Sequence, residues 1–245
     1  MRIIVALFLT CLGCLGQAFG PADPTVKSWG FVAPAAGGGG ITLDALTLGT
    51  NNGSGSFSWS HTVASGAVLV IFASANGTAT TVTNVSYNGI WTTNLLADTD
   101  HSEGIVAKLS VWIAHNPASG AHSITVYLST PTSAGADMGI AASFTGVANS
   151  TAAATHRTIY HDGVGGGGKN ITVIDSVSGD MVVAATSSWG ANPTSSQTAM
   201  GIIYNVLGSA YDLVGGRTVA VGASTVMSWV NDDWVTAAGF ALIPQ

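Results

Sequence analysis

From Ser56 to Val63 the chain alternates without a fault: Phe57, Trp59, His61 and Val63 take one side, Ser56, Ser58, Ser60 and Thr62 the other. A period of two marks a half-buried strand, because successive side chains leave an extended backbone on opposite faces. Ala67 to Ala73 (AVLVIFA) is short and continuously apolar, the pattern of a central strand covered on both faces. Asn88-Gly89, set between Val85-Ser86-Tyr87 and Ile90-Trp91, predicts a two-residue hairpin. From Ile105 to Ile113 one face is apolar, while Val106, Lys108, Ser110 and Trp112 form the other. Further strands are expected at Ile124–Leu128, Met138–Phe144, Ile171–Ile174, Met181–Thr186, Met200–Tyr204, Thr218–Val221, Thr225–Val230 and Val235–Ile243.

No stretch has the periodicity of an amphipathic helix. Short strands punctuated by Gly, Asn, Ser and Pro predict an all-β fold, an antiparallel β-sandwich of jelly-roll type, as one domain over residues 41–245. Two internal echoes bear on its topology. Ser65-Gly66-Ala67-Val68-Leu69-Val70 resembles Ser178-Gly179-Asp180-Met181-Val182-Val183, and Gly37–Gly40 before Ile41 resembles Gly165–Gly168 before Ile171. A sandwich with two related halves would give such echoes, and so would coincidence in a Gly-rich background.

Ahead of this domain, Met1-Arg2 precedes an apolar run from Ile3 to Gly16 and a small-residue exit, which reads as a secretory signal peptide over residues 1–18. The run is shorter than the roughly 20 residues of a membrane span. Residues 19–40 then form an extended Pro-rich leader ending in the Gly37–Gly40 hinge. Cys11 and Cys14 fall inside the signal segment and do not follow a lipid-anchor pattern, so the exported chain is expected to hold no disulfide and no thiolate metal site.

Charge changes the picture further. Only 18 of 245 residues are formally charged, 7% of the chain, against roughly 25% in an ordinary soluble domain. Once residues 1–18 are removed, five Lys/Arg remain against twelve Asp/Glu. Five scattered cations cannot make the several phosphate contacts that drive nucleic-acid binding, so nucleic acid is excluded as a partner. Lys is also the usual guard of exposed strand edges, and here it is nearly absent. Such edges need a cover: another copy, a glycan or a host surface.

Trp59-Ser60-His61-Thr62-Val63 through Ser65-Gly66, Val82 to Gly89 (VTNVSYNG), Trp112, Asn116 to Gly120, Ser143 to Val147 (SFTGV) and the Trp234…Phe240…Pro244 ending together resemble a recurrent module. It occurs in secreted bacterial and phage-associated β-sandwich proteins, and the resemblance spans residues 41–245. It implies an extracellular sandwich and carries no catalytic residue with it.

Candidate chemistry is sparse. A glycosidase needs two carboxylates across a sugar, and Glu103 is the single glutamate of the chain. Asp98, Asp100 and Glu103 could instead hold Ca²⁺ on a flexible loop, with a solvated hairpin tip as the plainer alternative. No Gly-x-Ser-x-Gly elbow occurs, and Gly163–Gly168 lacks the helix that a phosphate loop requires. His61, on the apolar side of its strand, is expected to be buried and hydrogen-bonded rather than catalytic. His115 and His122 flank the Pro117 turn without a third ligand. Of the seven tryptophans, Trp91, Trp112 and Trp189 are expected to be exposed and able to stack on sugar rings, with Trp59 and Trp234 in the core. Asn52, Asn76, Asn84, Asn149 and Asn170 head Asn-x-Ser/Thr sequons.

These features predict a non-catalytic extracellular structural or adhesive protein, a homo-oligomer or polymer whose Thr25–Ala33 leader segment adds as a strand to a neighbour's sheet edge. The alternatives are a carbohydrate-binding module and, behind it, a polysaccharide-active enzyme. An outer-membrane β-barrel is disfavoured by the doubly apolar strands and the absence of a terminal aromatic residue.

Overall fold

The computed structural model describes residues 40–51, 53–77, 79–99, 107–132, 137–148, 159–163, 169–189, 194–195, 198–204, 211–230 and 234–245. All of its regular structure there is extended, and the strands pair antiparallel. In the first half, β1 (Thr42–Thr50), β3 (Val68–Asn76), β6 (Thr93–Thr99), β7 (Ala107–Ala114) and β9 (Met138–Thr145) form one sheet in the order β1-β9-β3-β7-β6. Against it lies a second sheet, β2-β8-β4-β5, made of β2 (Ser56–Val63), β8 (Gly120–Leu128), β4 (Val82–Tyr87) and β5 (Ile90–Trp91). Phe57, Val63, Ile124 and Val126 from one sheet meet Leu69, Ile71 and Ala73 from the other in a closed core.

The second half repeats this wiring. Here β10 (Tyr160–Gly163), β12 (Met181–Trp189), β14 (Thr198–Tyr204), β15 (Tyr211–Val219) and β17 (Trp234–Leu242) pair in the order β10-β17-β12-β15-β14. The smaller sheet is β11-β16-β13, from β11 (Lys169–Val173), β16 (Thr225–Val230) and β13 (Thr194–Ser195). Reading β10 for β1, β17 for β9, β12 for β3, β15 for β7 and β14 for β6 makes the two larger sheets identical in order. The smaller sheets match in the same way, with β11 for β2, β16 for β8 and β13 for β4. Within each half the chain passes between sheets as in a jelly roll, with β5 and β6 acting as one strand that changes sheets at Thr92.

The all-β antiparallel sandwich expected is present, and the described residues of 41–245 form it as two jelly-roll sheet pairs. Their larger sheets face each other, giving four layers. Val70, Phe72, Ile140 and Phe144 of the first half pack with Met181, Val183, Leu213 and Phe240 of the second. Each of these phenylalanines is fully buried, worth about 2–3 kcal/mol of transfer free energy apiece. Ser74 on β3 and Ser187 on β12, both 0% exposed, share a hydrogen bond of 2.6 Å across this interface. They occupy the same position in the two halves, six residues into their strands. Equivalent residues touch each other where a two-fold axis passes, so the halves are related by a pseudo-two-fold axis near this serine pair.

The first echo in the sequence is thereby explained. Gly66 (φ 74°) and Gly179 (φ 97°) both adopt a left-handed backbone, in turns closed by Ala67 N–H to Ala64 O and Asp180 N–H to Val177 O. Each turn delivers the chain into the central strand of its half, and its third residue needs positive φ, which glycine supplies. The second echo has no counterpart: Gly37–Gly40 precedes β1, whereas Gly165–Gly168 falls between β10 and β11.

Candidate functional site

The face that stands out chemically is the outer side of β2-β8-β4-β5. Residues directly opposite in antiparallel strands share a face, so Ser58, Thr125, Ser86 and Trp91 form one row across it, and Ser56, Tyr127 and Asn84 the next. Ser60 with Ser123 and Thr62 with Ala121 extend it. None of these four strands contains Asp, Glu, Lys or Arg. The Ser58 and Thr125 hydroxyls are hydrogen-bonded at 2.8 Å. Trp91 is 58% exposed and its ring meets Tyr127 edge-on, with centroids 5.3 Å apart and planes at 69°. The hairpin that presents Trp91 turns at Asn88 and Gly89, both at positive φ, as the Asn-Gly pair predicts. One corner of this face thus carries two accessible rings, with Ser58 and Thr125 offering hydroxyls beyond the buried Ser86.

Beneath this face lies a polar chain that the sequence did not disclose. His61 is 1% exposed and Ser143 fully buried. Trp59 Nε1–H donates to Thr47 Oγ1 at 2.9 Å, and Ser143 Oγ donates to Asp44 Oδ2 at 2.7 Å. His61 joins the two, with Nδ1 2.7 Å from Thr47 Oγ1 and Nε2 3.3 Å from Ser143 Oγ. With Ser143 committed as a donor to Asp44, Nε2–H donates to Ser143 and Nδ1 accepts from Thr47, which fixes the neutral tautomer. Burial accordingly holds the His61 pKa down at about 4, with nearby Asp44 pulling weakly upward. Asp44, itself exposed, is the extra residue of a β-bulge between Leu43 and Ala45, and it also accepts from Ala64 N–H at 2.8 Å.

A serine, a histidine and an aspartate are therefore in contact, but in an order that cannot activate the serine. In hydrolytic triads the carboxylate orients the histidine, which then takes the serine proton. Here the serine lies between the other two and donates its hydrogen bond to the carboxylate of the exposed Asp44, leaving the histidine no serine proton to take. The group ties β1, β2 and β9 together.

A second network gathers loops at the end where β1, β3 and β8 finish. The Asp137 carboxylate, 0% exposed, accepts from Asn51 Nδ2 at 2.7 Å, from Asn76 N–H at 2.9 Å and from Thr132 Oγ1. Burial nevertheless raises its pKa, the three hydrogen bonds opposing the shift. All three of these bonds come from neighbouring loops and strands of the protein itself.

The sequence-predicted sites fare unequally. Trp91 is exposed as expected. Trp112 is corrected: it is 4% exposed and its Nε1–H donates to Ser110 Oγ at 2.9 Å. The reason is that β7 lies in a sheet covered on both sides, so its polar-looking face meets the β2-β8-β4-β5 sheet instead of water. Trp189 ends β12 in register with Tyr211 and Trp234, its side chain outside the described residues. Asp98 belongs to β6, but its side chain, Asp100 and Glu103 also lie outside them. Among the described residues no group of three metal-binding side chains occurs.

Of the sequons, Asn76 is corrected too, being 2% exposed and hydrogen-bonded through Nδ2 to Ser74. Asn84 is half-buried beside Tyr127, Asn170 is exposed on β11, and Asn52 and Asn149 fall outside the described residues. His122 Nε2–H donates to Ser119 O at 3.1 Å and the ring meets Tyr87 edge-on, and among the described residues it belongs to no metal-binding group of three. Among the described residues no helix is long and apolar enough to cross a membrane.

Comparison with protein-family models, with curated proteins and with solved structures returns no match to this chain.

Proposed function

We propose that this chain is a non-catalytic extracellular structural or adhesive protein that associates with copies of itself. The observation that carries the reading is the aliphatic end of the second jelly roll. Ile174, Val177, Val219 and Val221 are 61%, 52%, 42% and 89% exposed there. They sit on two turns pinned to each other by Gly179 N–H to Ala220 O and Ala220 N–H to Asp180 O, and by Ser176 Oγ to Gly222 O. The matching turns of the first half carry Ala64, Ser65 and Gly66, and Asn116, Pro117, Ala118 and Ser119. Those two turns of the first half are polar, although the neighbouring Asn88-Gly89 hairpin exposes Ile90 at 67%, and exposed apolar patches of this kind mark contact surfaces.

Gly40, where the leader joins β1, packs against Gly146, and Val147 bridges to Pro244 beyond β17. The leader therefore departs from the same end of the molecule as the aliphatic turns. In this reading Thr25–Ala33 adds as a strand to a neighbour, while the aliphatic turns supply the apolar contact. Electron microscopy and light scattering on the chain from residue 19, with and without residues 21–39, test it. Assemblies that shrink when the leader is removed are expected; a monodisperse monomer in both cases would end the proposal. The wiring of His61, Ser143 and Asp44 supports the non-catalytic part.

A further inference from the structure

We propose that the outer face of β2-β8-β4-β5 binds a neutral polysaccharide, with Trp91 as the stacking platform. This deepens the adhesive reading by naming the ligand class, and rests on it only in treating the ligand as held and not cleaved.

The argument starts from what the face can offer. A pyranose ring has an apolar face of C–H groups and a rim of hydroxyls. Trp91 offers a large exposed ring to the first, and the Ser58–Thr125 pair in the same cross-strand row offers hydroxyls to the second. Absence of charge in all four strands sets the sign of the preference. An acidic polysaccharide would lose hydration there without meeting a cation, and a cationic partner would meet no carboxylate. A protein partner is fitted less well, since interface anchors sit in apolar surroundings from which water is excluded. Here the rings give directly onto rows of serine and threonine.

Ring geometry narrows the ligand further. With planes at 69°, Trp91 and Tyr127 cannot both lie flat against one straight ribbon of sugars. Only Trp91 stacks. Tyr127 is a positioning residue: it stands on β8, in the middle of the sheet, and its edge contact fixes the ring of a two-residue edge strand. The ligand is then held one sugar at a time, at a chain end or along a twisted chain.

The test measures binding of the folded chain to soluble laminarin, a neutral glucan, and to polygalacturonate, its acidic counterpart, by affinity electrophoresis and calorimetry. Laminarin is expected to bind and polygalacturonate not. Trp91→Ala should weaken laminarin binding at least tenfold, Trp91→Phe less, and Tyr127→Ala by an intermediate factor. Unchanged thermal midpoints would show the variants folded, as expected for an exposed edge residue. No binding of laminarin, equal binding by Trp91→Ala, or preference for polygalacturonate would each overturn the proposal. Self-association read by light scattering on the same samples is independent of this outcome, so failure of the platform is distinguishable from failure of the adhesive reading.

Discussion

His61 shows how one residue can be read correctly in kind and still conceal its setting. Its place on the apolar side of an alternating strand foretold burial, but its partners Thr47 and Ser143 come from strands up to 82 positions away, and Ser143 in turn donates to Asp44. Nothing local marks them. The pH dependence follows from the tautomer. Folded His61 has a pKa near 4 against an ordinary 6.5, so the unfolded chain takes up a proton that the folded chain refuses. Stability is therefore full above pH 6.5 and falls as pH drops toward 4, by about 3 kcal/mol in all. Asp137 acts oppositely, since its raised pKa favours the folded state as acid is added. His61→Gln should flatten the decline in urea midpoint between pH 7 and 4.5; an unchanged slope would refute the assignment. Trp59 poses a packing counterpart. It rests on the cross-strand glycine pair Gly49 and Gly139, and a methyl added at Gly139 would come within 2.5 Å of its ring. Gly139→Ala should cost about 1–3 kcal/mol by overpacking, with a change in tryptophan emission.

Strands with clean periods were legible, and those with irregular pairing were not. The Ser56–Val63 and Thr225–Val230 boundaries coincide with β2 and β16. β6 escaped notice because shifts at Asn94/Leu96 and Leu96/Thr99 destroy its alternation. β15 was read only at its end, since Gly215-Gly216 interrupts its pattern. β7 misled in another way: Lys108, Ser110 and Trp112 imply a wet face, yet Lys108 is 5% exposed and donates to Thr80 O at 2.9 Å. Coverage of a sheet is decided by the other sheets, which no single strand records. Loops at the Asp137 end depend on one carboxylate in the same way. Asp137→Asn would turn an amide donor toward donors on Asn51, Asn76 or Thr132, and should lower stability by about 2–3 kcal/mol. Hydrogen exchange should quicken at residues 51–54 and 76–80 together, and exchange confined to residue 137 would contradict the network.

At the scale of the molecule, the two halves correspond far better in wiring than in sequence. Cores ask only for apolar side chains of suitable volume, so most positions drift; a turn that requires positive φ does not, and Gly66 and Gly179 remain. The pseudo-two-fold axis has its own test. Ser187→Ala leaves the Ser74 hydroxyl with only Asn76 Nδ2 as partner, and Ser74→Ala takes a partner from both Ser187 and Asn76 Nδ2, at a cost of about 1 kcal/mol or more each, while the double variant should cost less than their sum. Additive losses would remove the serine pair from the interface.

Two turns that are polar in the first half, at residues 64–66 and 116–119, carry exposed aliphatics in the second, and those aliphatics are the proposed contact with a second copy. The most direct measurement is the light-scattering mass of the chain from residue 19 over a wide concentration range, beside the Val177→Lys/Val221→Lys variant. The account predicts a mass that rises with concentration for the parent and stays monomeric, or nearly so, for the variant. A monomeric parent throughout, or a variant that associates as well as the parent, would contradict it.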